Sequence, residues 1–142
     1  MTDLQARIQA KISQPTLASF ATVTADGHPW TRYVVVIADD NLVIWFATFK
    51  GSRKVEQIAR NAHVHLTLGV TDMESAESYL QIAGRAEIIE EPAVKKAIWY
   101  DHLANIFSGP EDPSYVVCKV TPERIEFNTM NPQDGPEIWT AG

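Results

Sequence analysis

Leu4, Ile8 and Ile12 recur at a spacing of four with Arg7 and Lys11 between them, which is one apolar stripe on an amphipathic helix that Pro15 ends. The period then changes. Residues 19–24 (SFATVT) are a β-branched and aromatic run, and Asp26-Gly27 after them is a hairpin-turn signal that sends a second strand back over residues 30–37. Ala38-Asp39-Asp40-Asn41 is another polar turn, followed by a third strand over residues 41–47, so the first half reads as an antiparallel meander. Val55, Ile58 and Ala59, set among polar residues, predict a short helix over 52–61, and residues 63–69 return to strand.

Residues 70–77 are polar and acidic and read as a loop. Residues 78–89 are long enough for a strand bent at Gly84, where a missing side chain tolerates a bulge. Pro92 suits the first turn of a helix running to Phe107, and the Gly- and Pro-containing stretch 108–113 breaks regular structure. Strands over 115–120 and 124–128 follow, and the tail from Asn131 shows no clear element. Six or seven hairpin-linked strands with two or three peripheral helices predict a mainly β fold, an antiparallel barrel or sandwich in a single domain over residues 1–142.

Composition bounds the functions. The 142 residues carry 12 Lys+Arg against 18 Asp+Glu, a net charge of −6, which argues against a general nucleic-acid binder because such binding rests on phosphate neutralisation. One cysteine, Cys118, excludes a disulfide within the chain. The first residues mix acids and bases without an apolar core, so they do not read as a secretory signal, and no run approaches a membrane span; a cytoplasmic protein without membrane attachment is expected.

The charge is not evenly spread. Residues 50–60 hold Lys50, Arg53, Lys54 and Arg60 against Glu56 alone, a local charge of +3. Ser52-Arg53-Lys54 stands at the predicted start of a helix, where free N–H groups and the macrodipole favour an anion. A phosphate there would find the Ser52 hydroxyl, a bidentate Arg53, the Lys54 charge and the Thr48 hydroxyl just upstream. The same residues also suit an N-cap and a solvated helix face, and the pattern alone leaves both open. Arg32 is the only charged residue between Asp26 and Asp39, on an otherwise apolar strand, and needs either an anionic ligand or a neighbouring carboxylate.

The order Ala21-Thr22-Val23-x-x-Asp26-Gly27-x-Pro29-x-x-Arg32, then Trp45-Phe46-Ala47-Thr48-x-x-x-Ser52-Arg53-Lys54-Val55, then Asn61-Ala62-x-Val64 and Gly84-Arg85-Ala86-Glu87, resembles the pyridoxamine 5'-phosphate oxidase-like, FMN-binding split-barrel superfamily. The length and the closing Val120-Thr121-Pro122-Glu123-Arg124 look most like its general-stress-protein branch. The resemblance runs over residues 17–127 and implies a six-stranded split barrel forming a homodimer, with FMN in two symmetric clefts at the interface. By position, Arg32 with the backbone at Tyr33 and Val34 would meet the flavin and its phosphate side, and Thr48, Ser52, Arg53 and Lys54 would hold the phosphate. Tyr79 and Gln81 of the other subunit would lie near the ring system.

Trp30, Trp45, Phe46 and Trp99 are candidate apolar walls, although strand aromatics more often belong to the core. The pyridoxamine phosphate oxidases of that superfamily carry substrate-phosphate-binding Arg and His residues in a C-terminal segment; here no Arg follows Arg124, so vitamin B6 oxidation is not expected. His63 and His65 share a strand face without an obvious third metal ligand, and Cys118 reads as a core residue. With a flavin doing the redox chemistry, no side chain is singled out as catalytic. The leading expectation is an FMN-dependent oxidoreductase acting on a small molecule; a non-catalytic flavin-binding stress protein, or a deazaflavin- or haem-binding relative, are the alternatives.

Overall fold

The alternation of inward and outward positions becomes one antiparallel sheet closed on itself in a computed structural model that describes all residues, Met1–Gly142. The elements are α1 (Asp3–Ile12), β1 (Thr16–Val23), β2 (Pro29–Ala38), β3 (Ile44–Phe49), α2 (Arg53–Arg60), β4 (His63–Leu68), β5 (Ser78–Ile89), α3 (Pro92–Ile98), a 3-10 helix (Asp101–Asn105), β6 (Tyr115–Thr129) and β7 (Glu137–Thr140). The strand order is β3-β2-β1-β4-β5-β6-β7, and β3 also pairs with β6, so six strands close a barrel. β6 divides its work. Residues 115–120 seal the barrel against β3, while residues 124–127 carry β7. No helix is long and apolar enough to cross a membrane.

Every second residue of the barrel strands points inward. Ala18, Phe20 and Thr22 of β1, Ile44, Phe46 and Thr48 of β3, and Leu80 and Ile82 of β5 are buried, with Phe20 and Phe46 edge-on at 4.9 Å. Full burial of each Ile, Leu or Phe contributes roughly 1.5–3 kcal/mol. α1, capped by the reciprocal Thr2 and Gln5 bonds, adds its Ile8 and Ile12 to the same core. A smaller cluster of Leu103, Phe107, Tyr115 and Val117 forms where the segment after α3 folds over the barrel wall.

Four sequence expectations change. The helix expected over 92–107 splits: Trp99 adopts extended geometry (φ −59°, ψ 136°), which sets its ring edge-on to Tyr115 at 5.4 Å, and the chain resumes only as a 3-10 turn. The two strands expected over 115–120 and 124–128 are one, because a register shift absorbs Pro122. Ala83 opposes Arg124 and Gly84 opposes Pro122, leaving Glu123 as the extra residue where the ladder is broken anyway and no proline N–H is missed. The irregularity lies at Gly84 as expected, but the added residue is on β6; a Cβ on Gly84 would stand 2.6 Å from the Thr121 carbonyl oxygen. The tail forms β7, tied down by Arg7, which donates to both Glu137 oxygens at 2.8 and 2.7 Å. β3 begins at Ile44 and not at residue 41, since the turn places Leu42 at φ +65° while the Asp39 carboxylate accepts from the N–H groups of Asn41 and Val43.

Candidate functional site

β3 ends at Phe49 and α2 begins at Arg53, so residues 50–52 turn the chain from the barrel wall into a helix N-terminus. Ser52 occupies the cap position with extended geometry, yet its hydroxyl makes no capping bond. Ser52 Oγ and Thr48 Oγ1 are the two buried side-chain polar atoms of the whole chain without a hydrogen-bond partner. Leaving such a group unmade costs about 1–3 kcal/mol. Two of these costs fall within one turn of chain.

The positive charge of residues 50–60 separates into two kinds. Lys50 pairs with Glu90 at 2.8 Å and Arg60 with Glu56 at 3.0 Å. Arg53 and Lys54 have no carboxylate within 4.0 Å. Burial, and after it the charge of Arg32, pushes the Lys54 ammonium below the ordinary lysine range. Burial, then the charge of Arg53, does the same to Arg32.

Arg32 has no acid partner either. Its Nη1 donates to the Phe20 carbonyl at 3.2 Å, the Thr22 hydroxyl at 2.7 Å and the Trp30 carbonyl at 3.0 Å, and its Nη2 donates to Gln57 Oε1 at 2.9 Å. The Thr22 hydroxyl also bonds Gln57 Oε1. These neutral contacts tie β1, β2 and α2 together and hold the guanidinium in place without cancelling its charge. Arg32, Arg53 and Lys54 without an acid among them, two orphaned hydroxyls and a helix N-terminus converge around one turn, an arrangement suited to a phosphate.

Thr48 and Lys54 line a cavity of about 250 Å³ whose other walls include Tyr33, Val34 and Phe49. Thus Tyr33, Val34, Thr48 and Lys54 share one space, Ser52 and Arg53 stand on the turn beside it, and Arg32 lies behind, bonded to α2. Tyr79 and Gln81 are elsewhere in the chain. They sit on the outer face of β5, where Tyr79 lines a separate groove that Tyr33 also borders, and Gln81 accepts from Asn128 Nδ2 at 3.2 Å. Of the candidate walls, Phe46 is buried in the core, Trp30 is half exposed, and Trp45 and Trp99 border another groove together.

Tyr100, His102 and Phe107 also line the cavity at Thr48, and sequence reasoning missed them. They were hidden inside an expected helix; the signal available was the adjacent Trp99-Tyr100 pair, which breaks that helix's apolar period. His63 lies 3.2 Å from an Arg85 nitrogen, and burial lowers the pKa of His65. The Cys118 thiol is buried in the barrel and pushed up to about 12 by that burial, which makes it a poor nucleophile.

The sequence profile of the pyridoxamine 5'-phosphate oxidase family matches residues 4–129. General stress protein 26 of Bacillus subtilis is 32% identical over 125 residues, 88% of this chain and 88% of that protein. The pyridoxine/pyridoxamine 5'-phosphate oxidase of Shewanella sediminis is 39% identical over 92 residues, which take in 65% of this chain but only 42% of the oxidase. Among solved structures, general stress protein 26 from Bacillus anthracis superposes with a TM-score of 0.82 at 28% identity, over 98% of this chain and 99% of that one. A haem-binding protein from Mycobacterium smegmatis shares the fold, with a TM-score of 0.73 at 18% identity over 96% of this chain and 56% of that one.

Proposed function

The chain belongs to the pyridoxamine 5'-phosphate oxidase family, and from that premise we propose that it holds flavin mononucleotide by its phosphate at the β3–α2 turn and acts as a flavin-dependent oxidoreductase on a small molecule. The observation that carries this reading is the pair of orphaned hydroxyls, Thr48 Oγ1 and Ser52 Oγ, beside the unpaired Arg53 and Lys54. A phosphate dianion supplies acceptors for both hydroxyls and counter-charge for the cations, and nothing within the chain does.

In this reading Arg53 and Lys54 bind the phosphate, Thr48 and Ser52 orient it, and Arg32 keeps α2 docked through Gln57 while adding to the positive field. The bound flavin supplies hydride or electron transfer. Tyr33 and Val34 form part of the wall alongside. Pyridoxamine phosphate is not the proposed substrate: Arg124 is paired with Glu126 at 2.7 Å, and residues 125–142 contain no arginine that could hold a second phosphate.

Two copies associate in the same reading, with Tyr79 and Gln81 of each completing the flavin site of the other. Support comes from the outer face of the sheet, where Leu17 (52% exposed), Tyr33 (76%) and Val35 (45%) present apolar surface on paired strands. The cavity at Thr48, about 250 Å³, is also below the usual 300–1,000 Å³ of a small-molecule site, so a second wall is called for.

The test is the visible spectrum of the purified protein followed by titration of FMN into ligand-free chain. A flavin spectrum, release of FMN on denaturation and saturable rebinding are expected. An intense Soret band, or a colourless protein that takes up no FMN, overturns the reading. Turnover of an acceptor with a reduced nicotinamide donor separates an enzyme from a flavin store.

A further inference from the structure

Gln57 stands on the barrel side of α2, one helical turn beyond Arg53, and serves two donors at once. Its Oε1 accepts from Arg32 Nη2 at 2.9 Å and from the Thr22 hydroxyl, and that hydroxyl in turn accepts from Arg32 Nη1 at 2.7 Å. A guanidinium can only donate, so the amide oxygen is the atom that must face it. The three side chains close a ring joining β1, β2 and α2, and its single charge is that of Arg32.

The preceding residue is the opposite choice. Glu56, the one acid of α2, lies about 100° round the helix from Gln57, where it is exposed and pairs with Arg60 at 3.0 Å. The helix therefore keeps its carboxylate on the solvent side and sets an amide of nearly the same shape against the barrel. For ligand-free stability alone a carboxylate would be the better acceptor at 57, because it adds Coulomb attraction to the same bonds from a half-buried guanidinium. It would also cancel the charge. That charge is felt at the β3–α2 turn: after burial, it is what holds the Lys54 ammonium below the ordinary lysine range, and the charge of Arg53 acts likewise on Arg32.

We propose that Gln57 is a positioning residue for the anion bound at the β3–α2 turn: it fixes the Arg32 guanidinium beside the turn and, being neutral, leaves its charge available to a dianion. That the dianion is FMN rests on the preceding reading; that position 57 sets the charge of the turn does not.

The experiment moves one carboxylate and changes nothing else. Glu56→Gln with Gln57→Glu preserves composition and net charge while shifting the acid from the outer to the inner face of α2, and Glu56→Gln alone and Gln57→Leu are its controls. FMN titrations and ligand-free thermal melts are run on the same full-length preparations at roughly 0.05 and 0.5 M KCl. The double variant is expected to melt at least about 2 °C above Glu56→Gln and to bind FMN at least about tenfold more weakly, with the difference in affinity narrowing at the higher salt. Gln57→Leu, which loses the acceptor but adds no charge, is expected to melt below the unaltered chain and to bind FMN more tightly than the double variant does. The double variant then stands first in stability and last in affinity, whereas a residue that merely held α2 in place would keep affinity in step with stability. Equal FMN affinity in the double variant and Glu56→Gln, a loss of both stability and affinity, or a loss of affinity indifferent to salt overturns the proposal. An unaltered chain that takes up no FMN sinks the flavin reading, and pyrophosphate then decides the role of Gln57: it is expected to raise the melting midpoint of Glu56→Gln more than that of the double variant, and an equal rise, or none, overturns the proposal.

Discussion

Arg7 and Arg32 are the same side chain in opposite circumstances. Arg7, on α1, donates two bonds to Glu137 and a third to Asp3 at 3.0 Å, and its guanidinium lies 5.0 Å from the centre of the Phe127 ring. The bonds to Glu137, then those to Asp3, raise its pKa further above the ordinary arginine value. Arg32 touches only neutral oxygens, faces the field of Arg53, and has its pKa lowered by burial. For Arg7 the chain supplies the counter-charge; around Arg32, Arg53 and Lys54 it is left out, and the cost is borne by the ligand-free protein. The contrast yields four measurable consequences, in order of expected size.

The double variant Arg53→Ala with Lys54→Ala is expected to lose at least about 100-fold in FMN affinity, since charge-assisted bonds contribute roughly 1.5–3 kcal/mol each. Its ligand-free thermal midpoint should not fall, because only mutually repelling charges are removed. Retained FMN affinity would move the phosphate elsewhere.

Thr48→Val separates binding from stability more cleanly. Removing an unsatisfied buried hydroxyl is expected to stabilise the ligand-free chain by about 1 kcal/mol while weakening FMN by roughly tenfold. Denaturant melts and FMN titrations on the same preparation read both signs; a loss in both would mean that the hydroxyl already has a partner.

The third consequence concerns pH. Lys54 has a depressed pKa in the folded chain, so between that value and the ordinary lysine pKa the unfolded chain binds more protons, and ligand-free stability rises with pH across that window. A bound phosphate favours the ammonium, so FMN binding weakens as pH rises through the same window and takes up protons there. Titrations over alkaline pH should show this, and Lys54→Met should abolish it.

Arg7→Ala is the small control. FMN affinity should be unchanged, and the thermal midpoint should fall slightly, less so in high salt, as befits exposed ion pairs.

Much of this architecture is legible in the sequence because local chemistry dictates it. Asp26-Gly27 turns β1 into β2, with Gly27 at φ +83°, and the inward alternation of β1 and β3 follows the apolar residues. What escaped depends on distant partners. Pro122 reads as a break until the register shift opposite Gly84 accommodates it, and β7 is four mostly exposed residues fixed by an ion pair from α1. At the site, the residue types at 48 and 52–54 raise a phosphate turn as an expectation, but that the Ser52 hydroxyl declines its capping role, and that Lys50 and Arg60 are neutralised while Arg53 and Lys54 are not, are facts of three-dimensional placement.

The long β6 strand also sets the order in which the molecule can assemble. Hairpin pairs such as β1–β2 and β4–β5 join neighbours in sequence and can form as soon as both strands exist. The seam is different: Ile44 must find Val120 and Phe49 must find Tyr115, half the chain away. Loop closure of that length slows barrel formation, and on the ribosome it leaves the free edge of β3 without a partner until β6 has emerged. Since β3 leads directly into the turn before α2, the nascent chain has Thr48 and residues 52–54 in hand well before the wall that supports them, and the vulnerable interval in its life is the wait for its sixth strand.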